Sequence, residues 1–329
     1  MAIQIDGDGI PLASLAPAAQ ASLKSGRKNL IINGDFDVWQ RGTSFSSSGV
    51  GWKFTADRWR VNTYSTGTTV TKEDTTINGF FSNSLKVVNT NWVYYDLENV
   101  YNFLDRTMML SFYARSSASN SFDIATYHRP ESSSTGSQTV TTINLTSSWQ
   151  KFEVPITFAG LGSETVTTPS NTYTRLQWIN TTGGDGTSTI ELAQVQLEAG
   201  DTATDFEHRS FGEELALCQR YYHRVTNTDG AIWVSISGGG GFYNSGQSLI
   251  LPVQFPVTMR TTPSFSYSNI AHLDLEPWDV QPNAVHIFQT GNTQTSQLEV
   301  TDPTVRTTGH GGTVQIDVQN GWVSWDAEL

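Results

Sequence analysis

Residues 84–128 read SLKVVNTNWVYYDLENVYNFLDRTMMLSFYARSSASNSFDIATYH. Four short runs within them, Ser84–Asn89, Asn91–Leu97, Met108–Arg115 and Phe122–His128, are rich in β-branched and aromatic residues. Polar, turn-forming residues separate them, which is the pattern of strands joined by turns. Upstream, Thr68–Glu73 has the same character; downstream, so do Gln150–Phe158, Thr174–Asn180 and Thr189–Leu197. No long apolar segment with a 3.6-residue period lies between them. Parallel strands need crossover helices, so the sheet is expected to be antiparallel. Residues 29–209 are therefore expected to be all-β, an antiparallel sandwich or jelly roll.

The flanks differ. In residues 1–28, Asp6-Gly7-Asp8-Gly9 is turn chemistry and Leu15–Lys24 is Ala-rich enough for a short helix. An isolated ten-residue helix is marginal in water, so this N-terminal arm is expected to order against a partner, the alternative being a disordered terminus. Residues 210–226 carry a predicted linking helix, Ser210–Arg224, SFGEELALCQRYYHR. Ser210 with Glu213 forms a capping box, and Phe211, Leu215, Cys218 and Tyr222 fall on one apolar face. Cys218 reads as a small core hydrophobe on that face, with His223 pointing away from it. Residues 227–329 return to β patterning and are expected to form a second, smaller sandwich. Leu249–Phe255 is one strand there. Gly312–Asp326 reads as another, half-exposed, with Val314, Ile316 and Val318 on one side.

Composition narrows the function. Net charge is −12, and residues 225–329 hold nine acids against two Arg and no Lys. Nucleic acid and anionic membrane surfaces are poor partners for such a chain. Aromatics make up 11%, with ten Trp, in a chain that is only 15% charged. Flat rings with a polar handle suit sugar or protein surfaces, although sandwich cores use them too. A single cysteine forms no intrachain disulfide and no thiolate zinc site. The opening MAIQIDGDGI has neither a basic nor an apolar leader region, so no signal peptide is expected. No apolar run approaches the roughly 20 residues of a membrane-spanning helix, and no membrane insertion is expected.

Motifs for catalysis and cofactors are missing. Gly238–Gly241 lacks the Gly-Lys-Ser/Thr ending and following helix of a phosphate loop, and reads as a hairpin or a close backbone approach. A glycosidase needs two facing carboxylates; Asp96, Glu98, Asp105, Asp123 and Glu153 are available, but the sequence pairs no two of them. No catalytic residue and no cofactor is therefore assigned. Asn33-Gly34-Asp35-Phe36-Asp37 offers oxygens for a hard cation, or is an ordinary turn before a strand with Phe36 and Val38 in the core. For sugar contact the candidates are Trp92, Tyr94, Tyr127 and Trp178. Strand alternation puts Trp92 and Tyr94 on one face, where Tyr127 and Trp178 from later strands can join them. The competing place for each of these rings is the core.

Ordered blocks carry a family resemblance. They are residues 29–42 (NLIINGDFDVWQRG), 56–59 (ADRW), 110–115 (LSFYAR), 148–152 (SWQKF), 193–200 (AQVQLEAG), 203–209 (ATDFEHR), 217–222 (LCQRYY) and 255–263 (FPVTMRTTP). In this order the set resembles bacteriophage tail-fibre-like, virion-appendage proteins with a carbohydrate-binding-module-like jelly roll. The resemblance implies a non-enzymatic virion component contacting a host surface glycan, usually as a homotrimer, with residues 1–28 meeting other virion proteins. A head fibre or capsid decoration protein, or a tail plug without a receptor, are the alternatives, with a polysaccharide depolymerase behind them. Related modules commonly bind a structural Ca²⁺ through the opening acidic segment and an acid in the final strand. Here Ala193-Gln194 stand where that acid is expected, so no metal is assigned.

Overall fold

The computed structural model describes residues 27–46, 51–62, 67–90, 92–117, 120–129, 138–158, 172–181, 189–228, 233–243, 247–289 and 292–329. The strands of the first unit are β1 (Ser44–Ser46), β2 (Trp52–Phe54), β3 (Trp59–Asn62), β4 (Thr69–Ile77), β5 (Phe80–Val88), β6 (Trp92–Glu98), β7 (Thr107–Arg115), β8 (Asn120–Arg129), β9 (Gln138–Leu145), β10 (Gln150–Thr157), β11 (Tyr173–Asn180) and β12 (Thr189–Ala199). They form two six-stranded antiparallel sheets, ordered β1-β4-β5-β12-β7-β10 and β2-β3-β6-β11-β8-β9. The chain crosses repeatedly between the two sheets, with β2-β3, β4-β5 and β8-β9 as consecutive pairs within one sheet, consistent with the jelly roll expected from the turn-punctuated runs. The expected helix at Leu15–Lys24 lies outside the described residues.

Period-two alternation explains the core. On β6, Val93, Tyr95 and Leu97 point inward; on β11 Leu176 and Trp178 do, and on β8 Phe122 and Ile124. Trp59 is their hub, with ring centroids 4.9 Å from Phe36 and Tyr95 and 5.6 Å from Trp178. Such offset pairs add about 0.5–1.5 kcal/mol each beyond area burial.

β12 is buried on both faces, because the segment after Arg27 packs on its outer side. The Asn33–Asp37 stretch resolves as a turn, with Asn33 and Phe36 in the left-handed region at φ 59° and 55°. Phe36 and Val38 are buried as expected, but neither lies in a strand; the next strand, β1, starts at Ser44. Asn33 closes the loop: its Nδ2 donates to the carbonyls of Val38 and Asp57 at 2.8 and 3.0 Å. Gly34 donates no side chain, and must not: a Cβ there would collide with the Val195 carbonyl oxygen. β12 yields in turn, with a bulge between Ala193 and Gln196 and Gln194 at φ 48°.

The linking helix α1 spans Phe211–Gln219 with Arg220 as its C-cap, so it ends five residues short of the expected Arg224. Ser210 caps it, accepting from Glu213 N. The chain then turns at Arg220-Tyr221, and Tyr222–Thr226 is strand β13. β13 pairs along its whole length with Trp322–Asp326, a strand of the second unit, and that ladder outcompetes another helical turn. Phe211, placed on the apolar face, is exposed at the helix start, whereas Cys218 is buried as expected. Burial also pushes the Cys218 thiol well up, as befits an unreactive core group.

The second unit continues with β14 (Val234–Ser235), β15 (Gly240–Tyr243), β16 (Ser248–Gln254), β17 (Ser264–Tyr267), β18 (Leu273–Glu276), β19 (Ala284–Gln289), β20 (Thr295–Thr301), β21 (Gly311–Ile316) and β22 (Trp322–Asp326). One sheet runs β13-β22-β17, the other β14-β21-β15-β16-β20-β19 with β18 also on β21. Residues 312–326 are thus two strands in two sheets. Asn320, at φ 63°, and Gly321 turn the chain between them, which leaves Val318 exposed. The glycine run is a close approach: a Cβ at Gly240 would strike the Ile250 carbonyl of the neighbouring strand.

Candidate functional site

The same alternation that fills the core sends Trp92, Tyr94, Asp96 and Glu98 of β6 to the outer face of the second sheet. β11 contributes Tyr173, Arg175 and Gln177 to that face, and β8 contributes Asp123, Tyr127 and Arg129. Register aligns them in rows across the sheet. Trp92, Ile179 and Asp123 form one row, Asp96, Arg175 and Tyr127 another, and Glu98, Tyr173 and Arg129 a third.

Three of the four rings proposed from sequence meet on this face. Trp92 and Tyr127 are half-buried. Tyr94 is only 5% exposed, because Trp52 of β2 stacks on it at 4.5 Å. Its phenol is pushed up to about 12 by burial, so it stays protonated and polar. Trp52 also lies 5.9 Å from Trp92 and is itself 38% exposed. Trp178 does not belong here. It is 0% exposed, packed between Trp59 and Phe112 in the core, because on β11 it has the opposite parity to Arg175 and Gln177.

Charge organises the rings. Arg175 lies 4.5 Å from the centroid of Tyr94, 4.9 Å from Tyr173 and 5.7 Å from Tyr127. Its guanidinium donates to both oxygens of Asp96 at 2.5 and 2.8 Å, and Arg60 approaches the same carboxylate at 3.3 Å. Such bidentate, charge-assisted bonds fix the plane of the guanidinium. Gln177 hydrogen-bonds the Tyr94 phenol. Asp123 accepts from Thr142 at 2.6 Å and Thr139 at 3.3 Å. The result is a tract of half-exposed rings interleaved with fixed donors and acceptors.

Tyr173, Arg175 and Gln177 were legible once Trp178 is assigned inward, since alternation then places all three outward. Trp52 had no such signal, as a three-residue strand far away in sequence supplies it.

The carboxylates weighed for catalysis gather only in part. Asp96, Glu98 and Asp123 share the outer face, but Asp96 is held by two arginines, Asp123 by Thr139 and Thr142, and Glu98 accepts from Arg220 at 2.9 Å and Tyr221 at 2.8 Å. Glu153, on β10 of the other sheet, pairs with Lys151 at 2.7 Å. The oxygens considered for a cation are also engaged: Ser82 donates to Asp35, and Asn83 donates to Asp37 at 2.5 Å. Among the described residues, no three His, Cys, Asp or Glu side chains converge as a metal site.

No protein-family model and no curated protein matches the chain. Solved structures similar to part of the chain include the CBM22-1 xylan-binding domain of Paenibacillus barcinonensis Xyn10C, at 13% identity over 48% of this chain and 100% of that one, TM-score 0.33. A putative sugar binding protein from Bacteroides thetaiotaomicron is similar at 15% identity over 53% and 100%, TM-score 0.35. The enzymatically active domain of bacteriophage CBA120 tailspike protein 4 is similar at 10% identity over 52% and 21%, TM-score 0.29. Likeness of this degree assigns no ligand.

Proposed function

We propose that the outer face of the β2-β3-β6-β11-β8-β9 sheet binds a glycan, and that the chain is a non-enzymatic, receptor-contacting component of a phage virion. One observation carries the binding reading: Trp52, Trp92, Tyr127 and Tyr173 are half-exposed on the face that also presents Arg175, Asp96 and Asp123. Sugar rings stack their C–H faces on aromatics and spend their hydroxyls on fixed amide, guanidinium and carboxylate groups, and this tract supplies both. Tyr94, packed between Trp52 and Arg175, forms its floor. Binding without cleavage accords with Asp96 and Glu98 being tied to arginines, which leaves neither carboxylate free to meet a glycosidic oxygen.

On a glycan array, the double variant Trp92→Ala with Tyr127→Ala is expected to lose binding about tenfold, as two stacking contacts together should be worth about 1.4 kcal/mol. Undiminished binding by a folded double variant would remove the reading. Reducing sugar released from the bound glycan would instead identify a depolymerase.

The virion assignment is supported by the ordered sequence blocks running from residue 29 to residue 263. Labelled antibody on intact particles in negative stain is expected to mark a discrete appendage; label on the head would make it a head fibre or decoration protein, and unlabelled particles would refute it.

A further inference from the structure

Strand β6 serves two surfaces. Its first residues, Trp92 and Tyr94, line the aromatic face, while its last, Asp96 and Glu98, hold the second unit. Arg58 makes the link. Buried, and at φ 74°, it donates from Nη2 to the Asp96 carbonyl at 2.6 Å, and its Nη1 pairs with Glu328. Its guanidinium also lies 3.6 Å over the ring of Tyr221. Beside it Arg41 stacks 3.4 Å over Tyr222 and reaches Asp326 at 3.2 Å and Glu328 at 3.5 Å. From the other side, Arg260 fixes the carbonyls of Ala327 and Glu328 at 2.8 and 2.9 Å. Glu98 meanwhile takes Arg220 and Tyr221, the two residues that lead into β13.

Asp96 therefore faces both ways: its carboxylate grips Arg175 among the tyrosines, and its carbonyl grips Arg58 in the joint. We propose that the aromatic face and the second unit are coupled through Arg58–Asp96 and Glu98–Arg220. A ligand that draws Arg175 away from Asp96 shifts the joint, and release of Glu328 from Arg58 loosens the face. The ligand in that statement rests on the glycan reading, but the coupling itself does not. Coupling between two sites is reciprocal, so it can be entered from either end. The Arg58–Glu328 ion pair is buried and resists gradual relaxation, because parting it strands a desolvated charge, and this suits it to transmit a displacement.

Hydrogen exchange of the intact chain, without ligand, tests this. Glu328→Gln is expected to speed exchange of the β6 amides at residues 94–98 about fivefold or more, the lower end of ordinary couplings, and to leave β7 and β10 of the opposite sheet unchanged. In the reverse arm, Arg175→Met is expected to speed exchange in β13 and β22. Were Glu328→Gln to speed exchange everywhere, the reverse arm would decide by itself, read against β7. Changes confined to the mutated unit in both arms would overturn the coupling. Because no glycan is used, a negative glycan array leaves this result standing, and a failed coupling leaves the array result standing.

Discussion

Trp178 and Trp92 are the same residue type on neighbouring strands, and parity alone separates their fates. Trp178→Ala should open a core cavity and cost about 3–5 kcal/mol of stability, whereas Trp92→Ala should cost far less. Urea unfolding checks this; equal losses would contradict the assignment of inner and outer faces. Titratable residues give a second expectation. Burial pushes the carboxyls of Asp35 and Asp57 up to about 7 and that of Asp274 up to about 6. Burial also pushes the His223 imidazole, stacked on Trp325, down to about 4. Unfolded carboxyls titrate near 4, so the folded acids bind extra protons between about pH 4 and 7 and stability rises as pH falls through that window. His223 acts oppositely: unfolded it titrates near 6.5, so stability is lost as pH falls from there towards 4. Three raised acids outweigh one lowered imidazole. The urea midpoint is expected to be higher at pH 5 than at pH 8, and Asp35→Asn should flatten the difference; a midpoint that falls on acidification would refute this.

Among the elements, the β4–β5 hairpin follows its local sequence most directly. Asn78-Gly79, at φ 51° and 85°, makes the two-residue turn that such a dipeptide favours, and Ile77 pairs with Phe80 across it. The helix shows where local signals stop. Its start was readable from Ser210 and Glu213, and Ser210→Ala should cost about 1 kcal/mol, measurable by thermal unfolding; an unchanged Tm would mean that the cap is idle. Its end was not readable. Tyr221 and Tyr222 fit a helical stripe as well as they fit a strand, and only pairing with β22, a hundred residues later, decides between them. Val314, Ile316 and Val318 present the converse case: the alternation is real to Ile316, and the Asn320-Gly321 turn then moves the chain to another sheet.

At the scale of the molecule, two apolar cores meet through a charged joint built from Arg41, Arg58, Glu98, Arg220, Asp326 and Glu328. A joint so bonded predicts that the units move together. The oligomer proposed with the virion role is a trimer, and light scattering is expected to give about three times 36.2 kDa. A clean monomer at micromolar concentration would exclude it.

By itself the sequence determined the main strands of the first unit. Alternating apolar and aromatic runs between turn residues dictate antiparallel strands, because period two is what a sheet buried on one face requires. It also brought Trp92, Tyr94 and Tyr127 forward as a set. Tertiary structure decided the rest. Inward or outward parity on β11 removed Trp178, closure of β2 over Tyr94 added Trp52, and packing across the sheet added Arg175. The acids and arginines of the joint carry no local pattern, since their partners lie more than a hundred residues apart and meet only when both units have folded.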